Sequence, residues 1–113
     1  MTDEEILKRL AEIEGYKLSE YGFRYSTAFN AIIHYQDDDV SPWNPLHDDA
    51  QCLALVKKYR VAVAFYEGHG RLPAQWCAIC RSEIQHTIEE IEATNASPSL
   101  NRAVCLAIIE AHK

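Results

Sequence analysis

WNPLHDD, residues 43–49, joins a rigid turn to the start of a helix. Pro45 fixes its own φ angle and disfavours the helical region at Asn44, so the chain must be extended or turning up to this point. Asp48 or Asp49 can then accept hydrogen bonds from the first backbone N–H groups of a helix, at the positive end of its dipole. We therefore predict structural roles for Pro45 and for both aspartates.

The residues that follow predict one buried helix face. Leu46, Ala50, Leu53 and Val56 recur at the spacing of an α-helix, over a predicted helix at residues 48–58. Such an apolar stripe allows a helix to pack against a core while its other side faces water. We therefore expect this stripe to be buried.

The same stretch resembles a known family. WNPLHDDAQCLALVKKY (residues 43–59) and the terminal RAVCLAIIEAHK (residues 102–113) are similar to small proteins of tailed phages and prophages, often grouped as the phage ABA sandwich domain. The matching positions are Trp43, Asn44, Pro45, Leu46, Asp48 and Asp49, then Arg102, Ala103, Cys105 and Ala107. The resemblance implies a phage origin and a helix, sheet, helix layering. It implies no catalytic residues.

Length and composition indicate one domain. The chain has 113 residues, of which 48% are hydrophobic, and this is enough for one core. No window approaches the roughly 20 apolar residues that span a bilayer, and the start, residues 1–5, is acidic where a signal peptide is basic. We therefore expect a cytoplasmic protein that does not enter membranes, with its four cysteines reduced.

The charge disfavours nucleic acid as a partner. The formal net charge is −6, and its densest points are residues 37–39 and 89–90. Phosphate backbones would be repelled by such a surface. A DNA mimic would need carboxylates along a whole face, whereas these runs are short. The acidic run Asp37, Asp38 and Asp39 is therefore either an ordinary solvated loop or an interaction patch.

The first helix is predicted at residues 3–14. Thr2 and Glu5 form a capping-box pattern, and Gly15 offers a C-terminal stop. Its buried face is expected to contain Ile6, Leu10 and Ile13. From residue 16 the periodicity fades, and the N-terminal part at residues 1–42 is poorly determined, with one short apolar run at 31–35 that could form a strand.

The second half of the chain predicts a hairpin and a final helix. Residues 59–66 alternate as a strand does, Gly68 to Pro73 reads as a loop, and a returning strand is expected at residues 74–81. Residues 86–94 are interpreted as a third strand, although Ile84, Ile88 and Ile91 also fit a helix.

The final helix is predicted at residues 98–112, with Ser97 as its cap and Pro98 at its first position. Its buried face is expected to contain Leu100, Val104, Ala107 and Ile108. The predicted fold is thus a single α+β domain. A three-stranded antiparallel sheet (59–66, 74–81, 86–94) packs with helices 3–14, 48–58 and 98–112 in a layered sandwich.

The sequence Trp76-Cys77-Ala78-Ile79-Cys80 looks like a redox or metal motif. In a thioredoxin, the first cysteine opens a helix directly after its strand, but here ten residues separate Tyr66 from Cys77. A zinc site would need two more ligands, with His69 and His86 as candidates. We instead predict that Trp76 is structural and that the two cysteines are reduced, unmetallated and on opposite faces of a strand.

Catalytic patterns are missing from the sequence. It contains neither G-x-S-x-G nor H-E-x-x-H, and its five histidines lie in different predicted elements. We therefore predict no catalytic residues, no cofactor and no bound metal.

Two functions remain as hypotheses. The first is a non-enzymatic phage or prophage accessory protein that binds a host protein, a phage protein or a small ligand. A homodimer is a further hypothesis. Its candidate binding residues are Tyr25, Asp37, Asp38, Asp39, Trp43, Asn44, His69 and Arg71. The alternative is a small metal-dependent enzyme or binder of a nucleotide or phosphorylated compound, in which Asp48, Asp49 and Asn44 hold magnesium.

Overall fold

The computed structural model describes residues 1–19, 22–34, 42–71, 73–80 and 96–112. Within these ranges it contains three helices and five strands. They are α1 (Asp3–Ile13), β1 (Phe23–Ser26), β2 (Ala31–His34), α2 (Asp49–Tyr59), β3 (Val61–Tyr66), β4 (Gln75–Cys80), β5 (Ala96–Ser97) and α3 (Leu100–Ala111). The predicted α+β class, with antiparallel strands, is therefore confirmed.

Local signals define α1 at both ends. The Thr2 hydroxyl oxygen accepts a hydrogen bond from the backbone N–H of Glu5 at 3.2 Å, so the predicted cap is present. After the helix, Gly15 has a φ of +88°, a left-handed conformation that glycine adopts without strain. Ile6 and Leu10 are fully buried.

The first sheet is a short antiparallel hairpin that the sequence predicts only in part. In this sheet Phe23 lies opposite His34, and the chain reverses through Asn30, whose φ is 49°. β2 coincides with the predicted apolar run at 31–35. Trp43 then extends this sheet, because its backbone N–H and C=O exchange hydrogen bonds with Ile32 at 2.8 and 2.9 Å.

The second sheet contains the hairpin that the sequence predicts. β3 and β4 pair antiparallel from Val61 opposite Cys80 to Tyr66 opposite Gln75. The two-residue β5 continues the sheet on the other side of β4, where Ser97 pairs with Trp76.

The prediction of one three-stranded sheet is wrong. The described strands form two small sheets, and each is built on one hairpin. The reason is that the N-terminal region, where sequence periodicity is weak, forms a hairpin of its own. The backbone at Trp43 then pairs with Ile32 of β2 in this hairpin. The predicted strand at 86–94, and its helical alternative, lie outside the described residues.

The predicted start of the last helix is also wrong. Ser99, not Ser97, is the N-cap, since its hydroxyl oxygen accepts a hydrogen bond from the backbone N–H of Arg102 at 3.3 Å. Ser97 belongs to β5, and its hydroxyl oxygen accepts from the backbone N–H of Ser99 instead. Pairing with β4 thus holds Ser97 extended and moves Pro98 out of the helix.

The core lies around α3. This helix packs against α1, α2 and the second sheet, while α1 packs against the first sheet on its other side. The helices therefore lie between the two hairpins instead of covering one shared sheet. Of the predicted α3 face, Val104, Ala107 and Ile108 are buried and Leu100 is partly buried.

The predicted buried face of α2 is wrong in part. Leu46 is buried and Val56 partly so, but Leu53 is 51% exposed and Ala50 is also exposed. Cys52 and Leu55 occupy the core in their place. Both sets of residues have helical spacing, and the position of α3 selects which one is buried.

Removing the cap of α2 gives a first test of this fold. Asp48 accepts a hydrogen bond from the backbone N–H of Gln51 at 2.9 Å, the role predicted for one of the two aspartates. Asp48→Ala is expected to lower the free energy of unfolding by about 1 kcal/mol. Urea denaturation measures this, and Asp48→Asn, which keeps a capping oxygen, serves as the control with a smaller loss.

Candidate functional site

Trp43 lies within an aromatic cluster instead of pointing into solvent. Its ring meets that of Tyr16 edge-on, with the centroids 5.5 Å apart, and Tyr16 stacks on Phe23 at 4.5 Å. All three rings are partly buried against the core. Edge-to-face and stacked rings of this kind stabilise a fold. The cluster therefore supports the first hairpin and fixes where the following residues lie.

Asn44 ties the turn to the first hairpin. Its side-chain N–H donates to the backbone carbonyl of Asn30 at 2.6 Å, and its side-chain oxygen accepts from the backbone N–H of Leu46 at 3.0 Å. The side chain of Gln51, on α2, accepts from the backbone N–H of Asn44 and donates to the carbonyl of Pro42 at 3.1 Å. The turn is thus held from both sides, by the hairpin and by α2.

A cleft lies beside this turn, where the first helix, the first hairpin and the start of α2 meet. Its volume is about 450 Å³. The lining residues are Asp3, Tyr25, Phe29, Asn30, Asn44 and His47. The cleft volume falls within the range of roughly 300–1,000 Å³ that is common for ligand sites, and its lining combines two aromatic with four polar or charged residues. This cleft is the candidate functional site.

Charge in the cleft is centred on Asp3. Its carboxylate pairs with the Arg102 guanidinium at 2.7 Å and lies 3.6 Å from Nε2 of His47. Arg102 also donates to the backbone carbonyl of Met1, so it anchors the start of the chain to α3. The carboxylate of Asp3 is therefore held by a structural ion pair, beside an exposed imidazole.

Phe29 provides the exposed apolar surface of the cleft. It is 55% exposed, in the turn between β1 and β2. Beside it the Tyr25 hydroxyl donates to the side-chain oxygen of Asn30 at 3.4 Å. The ring thus lies on a braced hairpin and is free to contact a ligand.

The structure distributes the predicted binding residues over different places. Tyr25 and Asn44 line the cleft, and Trp43 lies behind it in the aromatic cluster. His69 and Arg71 lie in the loop of the second hairpin, which belongs to the other sheet. Asp37, Asp38 and Asp39 lie outside the described residues.

Four lining residues were not predicted from the sequence: Asp3, Phe29, Asn30 and His47. Asp3 and His47 are 44 positions apart, and Phe29 lies in a region without periodicity. The Trp43–Ile32 pairing brings the turn to the hairpin, and no local pattern encodes that contact. The one available signal was Asn30, a residue type that tolerates a left-handed turn.

The oxygens of the proposed magnesium site have structural partners. Asp48 caps α2, Asp49 accepts from the side-chain N–H of Asn101 at 3.0 Å, and Asn44 accepts from Leu46. Within the described part of the chain, no three His, Cys, Asp or Glu side chains come together as metal ligands. The three oxygens thus contribute to the helix start and its contact with α3.

The cysteines are four free thiols. Cys77 and Cys80 occupy positions i and i+3 of β4 and so point to opposite faces, as predicted. Trp76, next to them, packs on Phe65 with ring centroids 4.9 Å apart. His86 lies outside the described residues. That the thiols are reduced and bind no metal in solution stays a prediction.

Thiol alkylation should distinguish the cysteines. Burial raises the pKa of Cys52 to about 11, and it also raises the pKa of Cys80 and of Cys105. At neutral pH these groups keep their protons, and only the thiolate reacts. Cys77 is therefore expected to be alkylated first, with Cys52 protected until the protein unfolds. Mass spectrometry of the labelled peptides measures this, and rapid labelling of Cys52 in the native protein would contradict it.

Comparison of the chain with protein-family models, with curated proteins and with solved structures finds no match. In the described ranges, no helix is both long enough and apolar enough to cross a bilayer. The geometry of the cleft is therefore the main guide to function.

Proposed function

We propose that this protein is a non-enzymatic binding protein of the phage or prophage accessory type. It works in the cytoplasm of the host cell, and its cleft binds a host protein, a phage protein or a small ligand. The observation that carries the proposal is the exposed Phe29 ring in the lining of the cleft. Aromatic side chains, phenylalanine among them, are enriched in the cores of protein interfaces.

The polar groups of the cleft support binding over chemistry. Asn44 bridges two backbone segments, and Asp3 neutralises Arg102. The oxygens of these two side chains have further lone pairs that can accept hydrogen bonds from a ligand. Such binding involves no transfer of a proton. The suited ligand has an apolar group for Phe29 and a hydrogen-bond donor for Asp3 or the amide oxygens.

The phage assignment has separate support. It rests on the resemblance of residues 43–59 and 102–113 to small phage proteins. The residues of that resemblance have interlocking roles, since Asn44 joins the turn to the hairpin and Arg102 holds Asp3 at the cleft. Both residues thus hold groups of the same cleft.

The test compares Phe29→Ser with Leu53→Ser. Both side chains are about half exposed, at 55% and 51%, but Leu53 lies on α2 and does not line the cleft. Wild type and both variants are used to capture proteins from a lysate of the bacterial host, and their melting temperatures are measured with a protein-free extract. We expect Phe29→Ser to lose the captured protein or the ligand-induced rise in melting temperature, with Leu53→Ser unchanged. Equal binding by both variants would contradict the proposal.

A further inference from the structure

One oxygen of the Asp3 carboxylate accepts no hydrogen bond within the described residues. Oδ1 accepts from the Arg102 guanidinium at 2.7 Å, whereas Oδ2 lies 3.6 Å from Nε2 of His47, which is longer than a hydrogen bond. The Asp3 side chain is about half exposed, so a ligand in the cleft can reach it. An ionised carboxylate only accepts hydrogen bonds, and Oδ2 is therefore a place for a donor of the ligand.

The neighbouring polar side chains of the cleft add further acceptors. The Tyr25 hydroxyl donates its hydrogen to the side-chain oxygen of Asn30, so its own oxygen is left to accept. The side-chain oxygen of Asn44 accepts from the backbone N–H of Leu46 and has a second lone pair. Several acceptor oxygens in one lining suit a ligand group with several donors. A primary ammonium is such a group, because it carries three N–H donors.

Two aromatic rings, Tyr25 and Phe29, line the same cleft. The ring faces of tyrosine and phenylalanine attract cations, and the rings also bury apolar groups. An organic cation has both parts, a charged group and a hydrocarbon. The combination of a carboxylate with two aromatic rings is therefore complementary to an organic ammonium.

The charge around the cleft favours a cation over an anion. The first turn of α1 is acidic at residues 3–5, and Asp48 and Asp49 lie at the start of α2. Arg102 offsets the charge of Asp3 alone, and the whole chain has a net charge of −6. An acidic surface attracts cations and repels anions. A ligand that carries a carboxylate or a phosphate is thus disfavoured here.

We propose that the ligand of the cleft carries a primary ammonium on an apolar group, an inference that rests on the binding function proposed above. The ammonium donates to Oδ2 of Asp3 and to the oxygens beside it, and the apolar group contacts Phe29. Free amines and the lysine side chains of proteins share this chemistry.

The first test compares three probes that share a phenyl ring: phenethylammonium, the neutral 2-phenylethanol and the anionic phenylacetate. Nuclear magnetic resonance titration of the ¹⁵N-labelled protein should shift the amide signals of Phe29, Asn30 and Asn44. We expect the dissociation constant of the ammonium to be lower than that of either other probe by about tenfold, since a hydrogen bond to a charged group is lost in each.

Equal or tighter binding of the alcohol or the acid would overturn the ammonium and keep the cleft as a binding site. If no probe shifts these signals, the ammonium is overturned as well. The capture of proteins by Phe29→Ser and Leu53→Ser then decides separately whether the cleft binds a partner.

The second test removes one charge at two places. Asp3→Asn keeps an oxygen for Arg102 and should raise the dissociation constant of phenethylammonium about tenfold. Asp49→Asn removes the same charge from an exposed residue outside the cleft lining and should change it less than about twofold. Phe29→Ser should raise it about two- to fivefold. Circular dichroism checks that all variants fold, and equal effects of the two aspartate variants would contradict the contact with Asp3.

The source of the ammonium is tested with an acetylated phenylalanyl-lysine amide, whose only ammonium is that of a lysine side chain. Tighter binding than phenethylammonium would assign the ligand to a lysine of a protein, and weaker binding would assign it to a free amine. Either result supports the ammonium, whereas a peptide that binds Asp3→Asn as tightly as it binds wild type would count against it.

Discussion

Replacing Ile108 with alanine is expected to lower the free energy of unfolding by about 2–5 kcal/mol. Ile108 has no exposed surface, and it lies on α3, the helix that contacts both other helices and the second sheet. The substitution removes apolar contacts and leaves a cavity between elements that cannot all move inward. Since a domain has a total stability of about 5–15 kcal/mol, this one change is a large fraction of it.

Urea denaturation followed by circular dichroism measures the loss in the free energy of unfolding. The slope of this free energy against urea concentration should stay the same. Two controls make the result specific. Ile108→Val removes less volume and should cost about 0.5–1.5 kcal/mol. Leu53→Ala, on the exposed side of α2, should change stability by less than about 0.5 kcal/mol. If Ile108→Ala cost no more than Leu53→Ala, α3 would not be the centre of the core.

Replacing Asn44 with alanine is expected to cost about 2 kcal/mol. The amide joins the carbonyl of Asn30 to the backbone N–H of Leu46, and both groups lose their partner when it is removed. The turn would then lose its side-chain bond to the first hairpin at the wall of the cleft, while the backbone bonds between Trp43 and Ile32 remain. We therefore expect Asn44→Ala to lose ligand binding together with stability.

A graded series tests this account of Asn44. Asn44→Asp keeps the oxygen that accepts from Leu46 but loses the donor to Asn30. The loss in the free energy of unfolding should therefore be about half of that for Asn44→Ala. Asn101→Ala removes one exposed side-chain bond to Asp49 and should cost less than about 0.5 kcal/mol. Equal losses for Asn44→Ala and Asn101→Ala would show that the bridge to the hairpin contributes nothing.

Much of the local structure can be predicted because its causes lie within a few residues. Thr2 and Asp48 cap helices through backbone groups three positions along the chain, and Gly15 ends α1 through its own φ angle. β3 forms where the sequence predicts a strand, but its burial does not alternate, since Val61 is buried and residues 63–66 are exposed on both faces.

The two serines before α3 show where local reasoning fails. Ser97 and Ser99 are equally good caps by residue type. Pairing of β5 with β4 holds Ser97 in the sheet, so Ser99 becomes the cap. That pairing joins residues about 20 positions apart, and no local pattern predicts it.

The candidate site depends even more on distant contacts. Two of the predicted binding residues, Tyr25 and Asn44, line the cleft. Asp3, Phe29 and His47, which the sequence did not predict, also line it and come from separate segments of the chain. The backbone bonds between Trp43 and Ile32 bring these elements together.

By itself, the sequence determined the three helices, the second hairpin and the cap at Asp48, since propensity, capping and alternation act over one or two turns. Only the tertiary structure decided the division into two sheets, the buried face of α2 and the cleft at Asp3. These features depend on contacts between distant segments, and several pairings of the same short apolar segments satisfy the local rules equally well.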